Sequence, residues 1–167
     1  TLSFGGEYSH SKRTNLFVNP QGIVADDDSY SKEGIASAFV EYGRQIGKAS
    51  LQAGVRYEHV AFDYYIKNIH RKDMSRTTDD FFPSLGLSFP IGKVQMQLGY
   101  AKDILRPSFS QLSGEVTYNN RYTYQTGNPL LLPMTTDNIS LNAIYRWASL
   151  SVGYQHIKNK VFYQSIP

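Results

Sequence analysis

The sequence predicts an all-β fold, an antiparallel meander of about seven long strands with short turns at one end and long loops at the other. Apolar and polar residues alternate with a period of two through most of the chain, which indicates strands with two different faces. The 167 residues include 13 Tyr and 9 Phe, and the Leu- and Ala-rich composition typical of helices is missing. Long polar loops and short turns follow each other in strict alternation, as expected for a series of hairpins.

The first strands are read directly from the alternation. Residues 1–10 form a strand, and a polar loop of about twenty residues follows it. The next strand covers roughly 34–45, with Phe39 as an exception to its pattern, and residues 46–48 form a tight turn. A longer strand then alternates from Ala49 to His59, which is the length that a tilted membrane strand needs.

The middle of the chain repeats this plan. A second polar loop is predicted from Lys67 to Asp80. A strand follows at 81–89, residues 90–93 form another short turn, and a strand covers 94–101. The plan therefore gives a second hairpin of the same kind.

The last third of the chain begins with the longest polar loop, at about 106–134. A strand at 138–147 and a strand at 149–155 come after it, and a very tight turn near Trp147-Ala148 joins them. No domain boundary interrupts this series, so residues 1–167 are predicted to form a single domain.

The two faces of the predicted strands differ in chemistry, which leaves two architectures open. In a soluble sandwich the apolar face is the core, whereas in an outer-membrane barrel it meets lipid and the polar face lines the lumen. Strand length, turns at one end, loops at the other and aromatic residues near strand ends favour the membrane barrel. The environment of five apolar-face residues discriminates the two architectures: Leu51, Val55, Leu98, Leu141 and Val152.

Several functions are disfavoured by composition and spacing. The net charge is +3 without a basic run, which is no basis for nucleic-acid binding, and the absence of Cys excludes disulfides and thiolate metal sites. The four His are far apart in sequence, and Asp26-Asp27-Asp28 lacks the spacing of a calcium loop and is interpreted as solvated charge. No nucleophile elbow, phosphate loop or zinc motif occurs. We therefore expect no catalytic site, no metal and no cofactor.

Charged residues on the polar face have a structural interpretation. Arg56, Glu58 and Arg146 face the predicted lumen, where they could touch a substrate or a plug. Buried charges usually pair, so stabilisation of the wall is the favoured interpretation.

The long loop holds the candidate ligand contacts. Aromatic rings offer flat apolar surfaces with a polar handle, which suits a sugar or a chelate. Packing within the loop is the alternative role for the same residues. The candidates are Tyr118, Arg121, Tyr122 and Tyr124.

The motifs of this loop resemble those of a known family. Arg106-Pro107-Ser108-Phe109 opens the loop, and Gly127-Asn128-Pro129-Leu130 with Pro133 precedes the next strand. This order is similar to the C-terminal barrel half of TonB-dependent outer-membrane receptors, and most similar to the outer-membrane β-barrel family typical of Bacteroidetes. Phe109 stands where that pattern usually has Tyr, and Met134 where it usually has Glu.

The resemblance implies a location, a function and partners. It implies uptake of a nutrient, such as a siderophore or an oligosaccharide, across the outer membrane of a Gram-negative bacterium, powered by TonB. Such receptors close with roughly 22 strands around a plug, so seven strands would be one arc of the wall, a fragment without its plug domain. Expected partners are outer-membrane lipid, the remaining strands, the plug and TonB, and an isolated arc is expected to self-associate through its open edges. A soluble or surface-exposed structural or adhesin module is the alternative function.

Overall fold

The computed structural model of the protein describes residues 1–18, 20, 26–113, 116–120 and 123–162. The elements are β1 (Leu2–Phe17), β2 (Asp27–Ile46), β3 (Ala49–Ile66), β4 (Ile69–His70), β5 (Arg76–Ile91), β6 (Val94–Leu105), α1 (Phe109–Leu112), β7 (Val116–Asn120), β8 (Thr123–Thr126), β9 (Met134–Tyr145) and β10 (Ala148–Lys158). Among these residues, no helix has the length and apolar character that crossing a membrane requires.

The long strands form one antiparallel sheet in chain order. Within the described ranges its path is β1-β2-β3-β5-β6-β9-β10, the short β4 pairs with β3, and β7 and β8 form a separate hairpin. Each strand on the path has 11 to 20 residues. The predicted all-β meander of seven long strands is therefore confirmed.

Several strands continue further toward the loops than the alternation predicts. β1 reaches Phe17 instead of residue 10, and β2 begins at Asp27 inside the predicted first loop. The predicted second loop, 67–80, is wrong at its end because β5 begins at Arg76 and pairs with β3 from there. Beyond the apolar stretch both faces carry polar residues, so the sequence pattern ends although the backbone pairing does not.

The three hairpin turns lie at the opposite end of the sheet from the loops. Two of them are Gly47-Lys48 and Gly92-Lys93, whose glycines have φ of +61° and +60°, a region that favours glycine. The third is Arg146-Trp147, one residue earlier than predicted, with Arg146 at φ +45°. The assignment of Arg146 to the polar face was therefore wrong, because this residue forms the turn.

The two faces of the sheet separate as predicted. We call the side that carries Val55 and Leu98 the apolar face, and the side that carries Arg56 and Glu58 the polar face. Phe39 belongs to the polar face, since it lies opposite Arg56 in the β2–β3 register. In the described part of the chain no second sheet covers the apolar face. Many of its large side chains are exposed, whereas Leu51 is half-buried; the exposed ones include Phe4, Val55, Leu85, Leu98, Leu141, Val152 and Tyr154.

The sheet divides at its loop-side end. Pairing between β5 and β6 extends from the turn to the rung of Ser84 and Ala101. Beyond that rung β5 remains paired with β3 as far as Arg76, and β6 with β9 as far as Leu105. We call the space between these two strand ends the seam.

Candidate functional site

A buried carboxylate on the polar face holds two arginines. The Glu58 side chain of β3 is 5% exposed; Arg56 Nε lies 2.7 Å from its Oε1, and an Arg106 Nη2 donates to its Oε2. Arg56 Nη2 also lies 3.8 Å from the exposed Glu7 carboxylate of β1. Such charge-assisted hydrogen bonds are stronger than neutral ones, and a buried carboxylate requires them. The predicted pairing of Arg56 with Glu58 is confirmed, and Arg106 joins the pair.

An apolar cluster lies on the same face, next to this ion pair on the loop side. Phe62 and Tyr64 of β3 pack with Leu112 of α1, and each of the three is 5% exposed or less. Leu131 and Met74 pack against the cluster from two different loops. The long loop therefore covers the polar face of β3 with apolar side chains, which is why this end of the sheet has a small core.

The short helix α1 is fixed at both ends. The Ser108 N–H donates to Gln111 Oε1 at 2.8 Å, as in a capping box. At the other end, the Asn128 N–H donates to the Gln111 carbonyl at 2.6 Å. The sequence signal for this helix, Ser108 followed three residues later by Gln111, was present but was not used in the prediction.

Gly127 lies against the end of α1, where a side chain would not fit. A Cβ at this position would be 2.4–2.6 Å from the carbonyl oxygens of Ser110, Gln111 and Ser113. The next residue forms a turn, since the Leu130 N–H donates to Asn128 Oδ1 at 2.9 Å. This turn brings Leu131 to the apolar cluster. We call Arg106, α1 and residues 127–131 together the loop anchor.

Arg76 connects the loop anchor to β5. Its guanidinium lies 4.8 Å from the centre of the Phe62 ring, and its Nη1 donates to the Pro129 carbonyl at 3.4 Å. A cavity of about 20 Å³ lies beside it, lined by Arg76, Arg106, Leu112 and Pro133 among others. This volume accommodates about one water molecule, so the loop-side core is closely packed and leaves no room for a solute there.

Closer to the turns, the polar face has an open groove. Its volume is about 530 Å³, and its lining includes Glu41, Gln52, Gly54, Ser84 and Gly86. Apart from Glu41, these residues are glycines or carry uncharged polar side chains, which leaves the backbone accessible here. A wall of this kind can contact water, a solute or another protein segment through hydrogen bonds.

The predicted site residues have different positions relative to these features. The motif residues Arg106, Pro107, Gly127, Asn128, Pro129 and Pro133 all belong to the loop anchor or line its cavity. Tyr118 and Tyr124 are backbone partners in the β7–β8 hairpin. Arg121 and Tyr122 lie outside the described residues. Ligand contact by these four residues stays a prediction.

The candidate metal ligands are used in other ways. In the ranges that the structure describes, no group of three His, Asp or Glu side chains is placed to hold a metal ion. Asp27 accepts hydrogen bonds from Asn15 at 2.7 Å and Ser29 at 3.1 Å. The assignment of Asp27 and Asp28 to a loop was wrong, because both belong to β2; Asp26 and Asp28 are exposed, as expected for solvated charge, and Asp27 is half-buried.

Aromatic residues form a row on the apolar face, at the level where apolar side chains give way to polar ones toward the loops. The rings of Tyr57 and Phe81 are 5.1 Å apart, and the Tyr57 hydroxyl donates to Asp79 at 2.5 Å. The Tyr100 hydroxyl donates to Asp137 at 2.9 Å in the same way. In each pair the ring belongs to the apolar stretch and the carboxylate lies further toward the loops. Amphipathic rings with this orientation are typical of a membrane–water interface.

The loop between β4 and β5 has its own ion pair. Arg71 donates to both carboxylate oxygens of Asp73, at 2.9 and 2.7 Å. The hydrogen bond and charge of Arg71 lower the pKa of Asp73, and the same interactions raise the pKa of Arg71. This pair lies among exposed residues, so it orders the loop without forming a site.

The chain matches a protein family over its full length and solved structures in part. The model of the family described as "Outer membrane protein beta-barrel family" matches residues 1–167. No curated protein matches the chain. Among solved structures, a double mutant of the Serratia marcescens hemophore receptor HasR, in complex with its hemophore HasA and heme, matches with 11% identity and a TM-score of 0.48. The match covers 85% of this chain and 28% of the receptor chain, so the chain spans less than a third of that receptor's length.

Proposed function

Because the chain belongs to the outer membrane protein beta-barrel family, we propose that it forms one arc of the wall of a TonB-dependent receptor that takes up a nutrient across the outer membrane. The observation that carries this proposal is the two-faced sheet. Its apolar face is exposed along its whole width, and its polar face carries a loop anchor at one end and an open groove at the other. A wall between lipid and a wet lumen requires this distribution.

The dimensions of the apolar face agree with a membrane position. From Ala49 to Tyr57, β3 advances by eight residues, which is about 26 Å along the strand. A strand tilt of about 40° reduces this to about 20 Å along the membrane normal, close to the apolar band of about 25 Å in outer-membrane barrels. The row of Tyr57, Phe81 and Tyr100 then lies at the interface on the loop side. Because the long loops of such barrels are extracellular, we assign that side to the cell exterior.

Further strands are needed to complete the wall. β1 and β10 are the edges of the described sheet, and an unpaired edge in lipid leaves backbone groups without hydrogen bonds. We propose that residues 1–167 are a single partial barrel domain whose edges pair with other strands of the same barrel. In this proposal the groove on the polar face contacts a plug domain, and TonB acts on that plug.

The outer part of the long loop is the proposed ligand contact. α1 and residues 127–131 fix the base of this loop to β3, so the β7–β8 hairpin begins and ends on a rigid support. Tyr118 and Tyr124 are partners in this hairpin, and Arg121 and Tyr122 come between its two strands in the sequence. Rings and a guanidinium suit an oligosaccharide or an anionic chelate such as a siderophore, which are the nutrient classes that we propose.

The test compares uptake with binding. A strain that lacks the gene is complemented with wild type or with a Tyr118→Ala/Tyr124→Ala double variant, and uptake of labelled siderophores and oligosaccharides is measured. We expect uptake of one class that stops when TonB is removed, while binding to cells persists. In the variant we expect binding to weaken at least about tenfold, since each lost stacking ring contributes about 1 kcal/mol.

Two outcomes would contradict the proposal. Energy-independent flux through the purified protein in liposomes would identify a passive pore. Normal growth and uptake of every tested nutrient without the gene, together with adhesion defects, would support the adhesin alternative. A soluble sandwich would need a second sheet over Leu98 and Leu141, and the described residues instead leave both side chains exposed.

A further inference from the structure

Two lysines stand side by side on the apolar face, near its loop-side end. Lys12 of β1 and Lys32 of β2 are direct partners in the strand register. Lys12 Nζ lies 5.0 Å from the centre of the Tyr30 ring, and Lys32 Nζ lies 5.4 Å from that of Tyr65. The two rings stack on each other at 4.4 Å with an interplanar angle of 8°. The aromatic pair therefore holds both ammonium groups in one place by cation–π attraction.

In the described residues, neither lysine of this pair forms an ion pair with a neighbouring strand. Among the residues that the structure describes, no carboxylate oxygen lies within 4 Å of either ammonium group. Asp63 is the register partner of Lys32, but its Oδ1 lies 3.1 Å from His70 Nε2. Like charges directly opposite each other destabilise a strand pair. An arrangement of this kind is stabilised when an external anion bridges the two cations.

The depth of the pair in the membrane points to the source of that anion. Lys12 follows Tyr8 by four residues on the same face of β1, which is about 13 Å along the strand and about 10 Å along the membrane normal. The exposed Tyr8 ring marks the upper limit of the apolar stretch on β1. The headgroup layer is about 5–8 Å thick on each side of the hydrocarbon, so Lys12 lies at its outer edge, where a long lysine side chain can extend to the headgroup phosphates.

We propose that Lys12 and Lys32, held by Tyr30 and Tyr65, bind the phosphate group of a phosphorylated glycolipid in the outer leaflet. Two ammonium groups at a lipid-facing position complement a phosphate, and phenolic hydroxyls beside them suit the hydroxyls of a sugar headgroup. The site depends on the membrane orientation of the sheet and is independent of which nutrient the receptor takes up.

The experiment measures glycolipid binding to the detergent-purified protein. A diphosphorylated acylated disaccharide, its dephosphorylated form and inorganic phosphate are titrated separately, and the dissociation constant is read from the shift in thermal unfolding. Lys12→Gln/Lys32→Gln is compared with Lys48→Gln/Lys93→Gln, which removes the same charge from the turns at the other end of the sheet. We expect the first variant to bind the phosphorylated glycolipid about thirty-fold more weakly, and the control to bind it as wild type does.

The binding results distinguish a phosphate site at Lys12 and Lys32 from other modes of binding. Equal binding by both variants, or an equal loss in both, would overturn the site. Equal affinity for the dephosphorylated form would assign the contact to acyl chains, and comparable affinity for inorganic phosphate would assign it to a free anion; either result overturns the proposal. A Lys12→Arg/Lys32→Arg variant should retain binding, which keeps the test decisive if the glutamine variant folds poorly. Without glycolipid, the glutamine variant should be about as stable as wild type, because the repulsion that it removes offsets the two cation–π contacts that it loses.

Discussion

Replacement of Glu58 by alanine tests whether the buried ion pair fixes the long loop. Glu58 receives charge-assisted hydrogen bonds from Arg56 and Arg106, and each such bond contributes about 1.5–3 kcal/mol. The gross loss is therefore about 3–6 kcal/mol. Arg56 is 45% exposed and Arg106 26% exposed, so both recover part of their hydration when the carboxylate is gone. We expect a net decrease of about 2–3 kcal/mol in the free energy of unfolding.

The assay is equilibrium urea unfolding of the detergent-purified protein, followed by the shift between folded and unfolded bands on a gel. Because Arg106 is the first residue of the loop anchor, limited proteolysis within 105–134 should accelerate in the same variant. Glu7→Gln is the control: Glu7 is 70% exposed and 3.8 Å from Arg56, so its loss should cost under about 0.5 kcal/mol. Unchanged stability and unchanged cleavage in the Glu58 variant would refute the anchoring role.

Three further substitutions test other parts of the fold. Gly127→Ala places a Cβ against three carbonyl oxygens and should cost about 1–3 kcal/mol with faster loop cleavage, whereas Gly43→Ala, where a Cβ meets no atom within 4 Å, should cost far less in the same unfolding assay. Leu141→Lys should cost about 2–4 kcal/mol when unfolding is measured in a lipid bilayer, and Asn142→Lys on the polar face should cost little; equal losses would contradict the assignment of the faces. The lowered pKa of Asp73 means that its contribution to loop order is present above the usual Asp pKa and is lost as the pH falls below it. The protection of 67–75 against hydrogen exchange, relative to the intrinsic exchange rate at each pH, should therefore fall below about pH 4 in wild type, and in Asp73→Asn it should be low at every pH.

The fold was predictable wherever one face of a strand must be apolar. From Ala49 to His59 every second residue is apolar or aromatic, so the two faces of this part of β3 follow from the requirement to meet lipid on one side, whereas its continuation to Ile66 does not. Beyond the membrane–water interface a strand no longer needs an apolar face. At Arg76 to Asp80 both faces are polar, and only backbone pairing with β3 defines the strand, which a pattern of side chains cannot reveal.

The sequence predicted the motif residues of the candidate site but did not predict their contacts. Arg106 and Gly127 were recognised by the resemblance of the long loop to a known family, whereas their functions depend on neighbours distant in the chain. Glu58 precedes Arg106 by 48 residues, and the residues that surround Gly127 belong to a helix of four residues or directly follow it. No local pattern specifies which of several charges on a polar face will pair, because the register of three strands and the course of the loop decide it together.

The seam between β5 and β6 has a mechanical consequence. At their loop-side ends the sheet halves are joined by side chains, through Arg106 on Glu58 and Leu131 on the apolar cluster, in place of a backbone ladder. A load that pulls the two halves apart therefore acts first on an ion pair and a few apolar contacts, and afterwards on the hydrogen bonds below Ser84. Glu58 is buried, so salt screens this ion pair only weakly, but a Glu58→Gln substitution removes its charge and leaves the backbone hydrogen bonds unchanged. The force needed to open the outer rim of this wall should thus fall in that variant, while the force needed to unzip its membrane-embedded part should not.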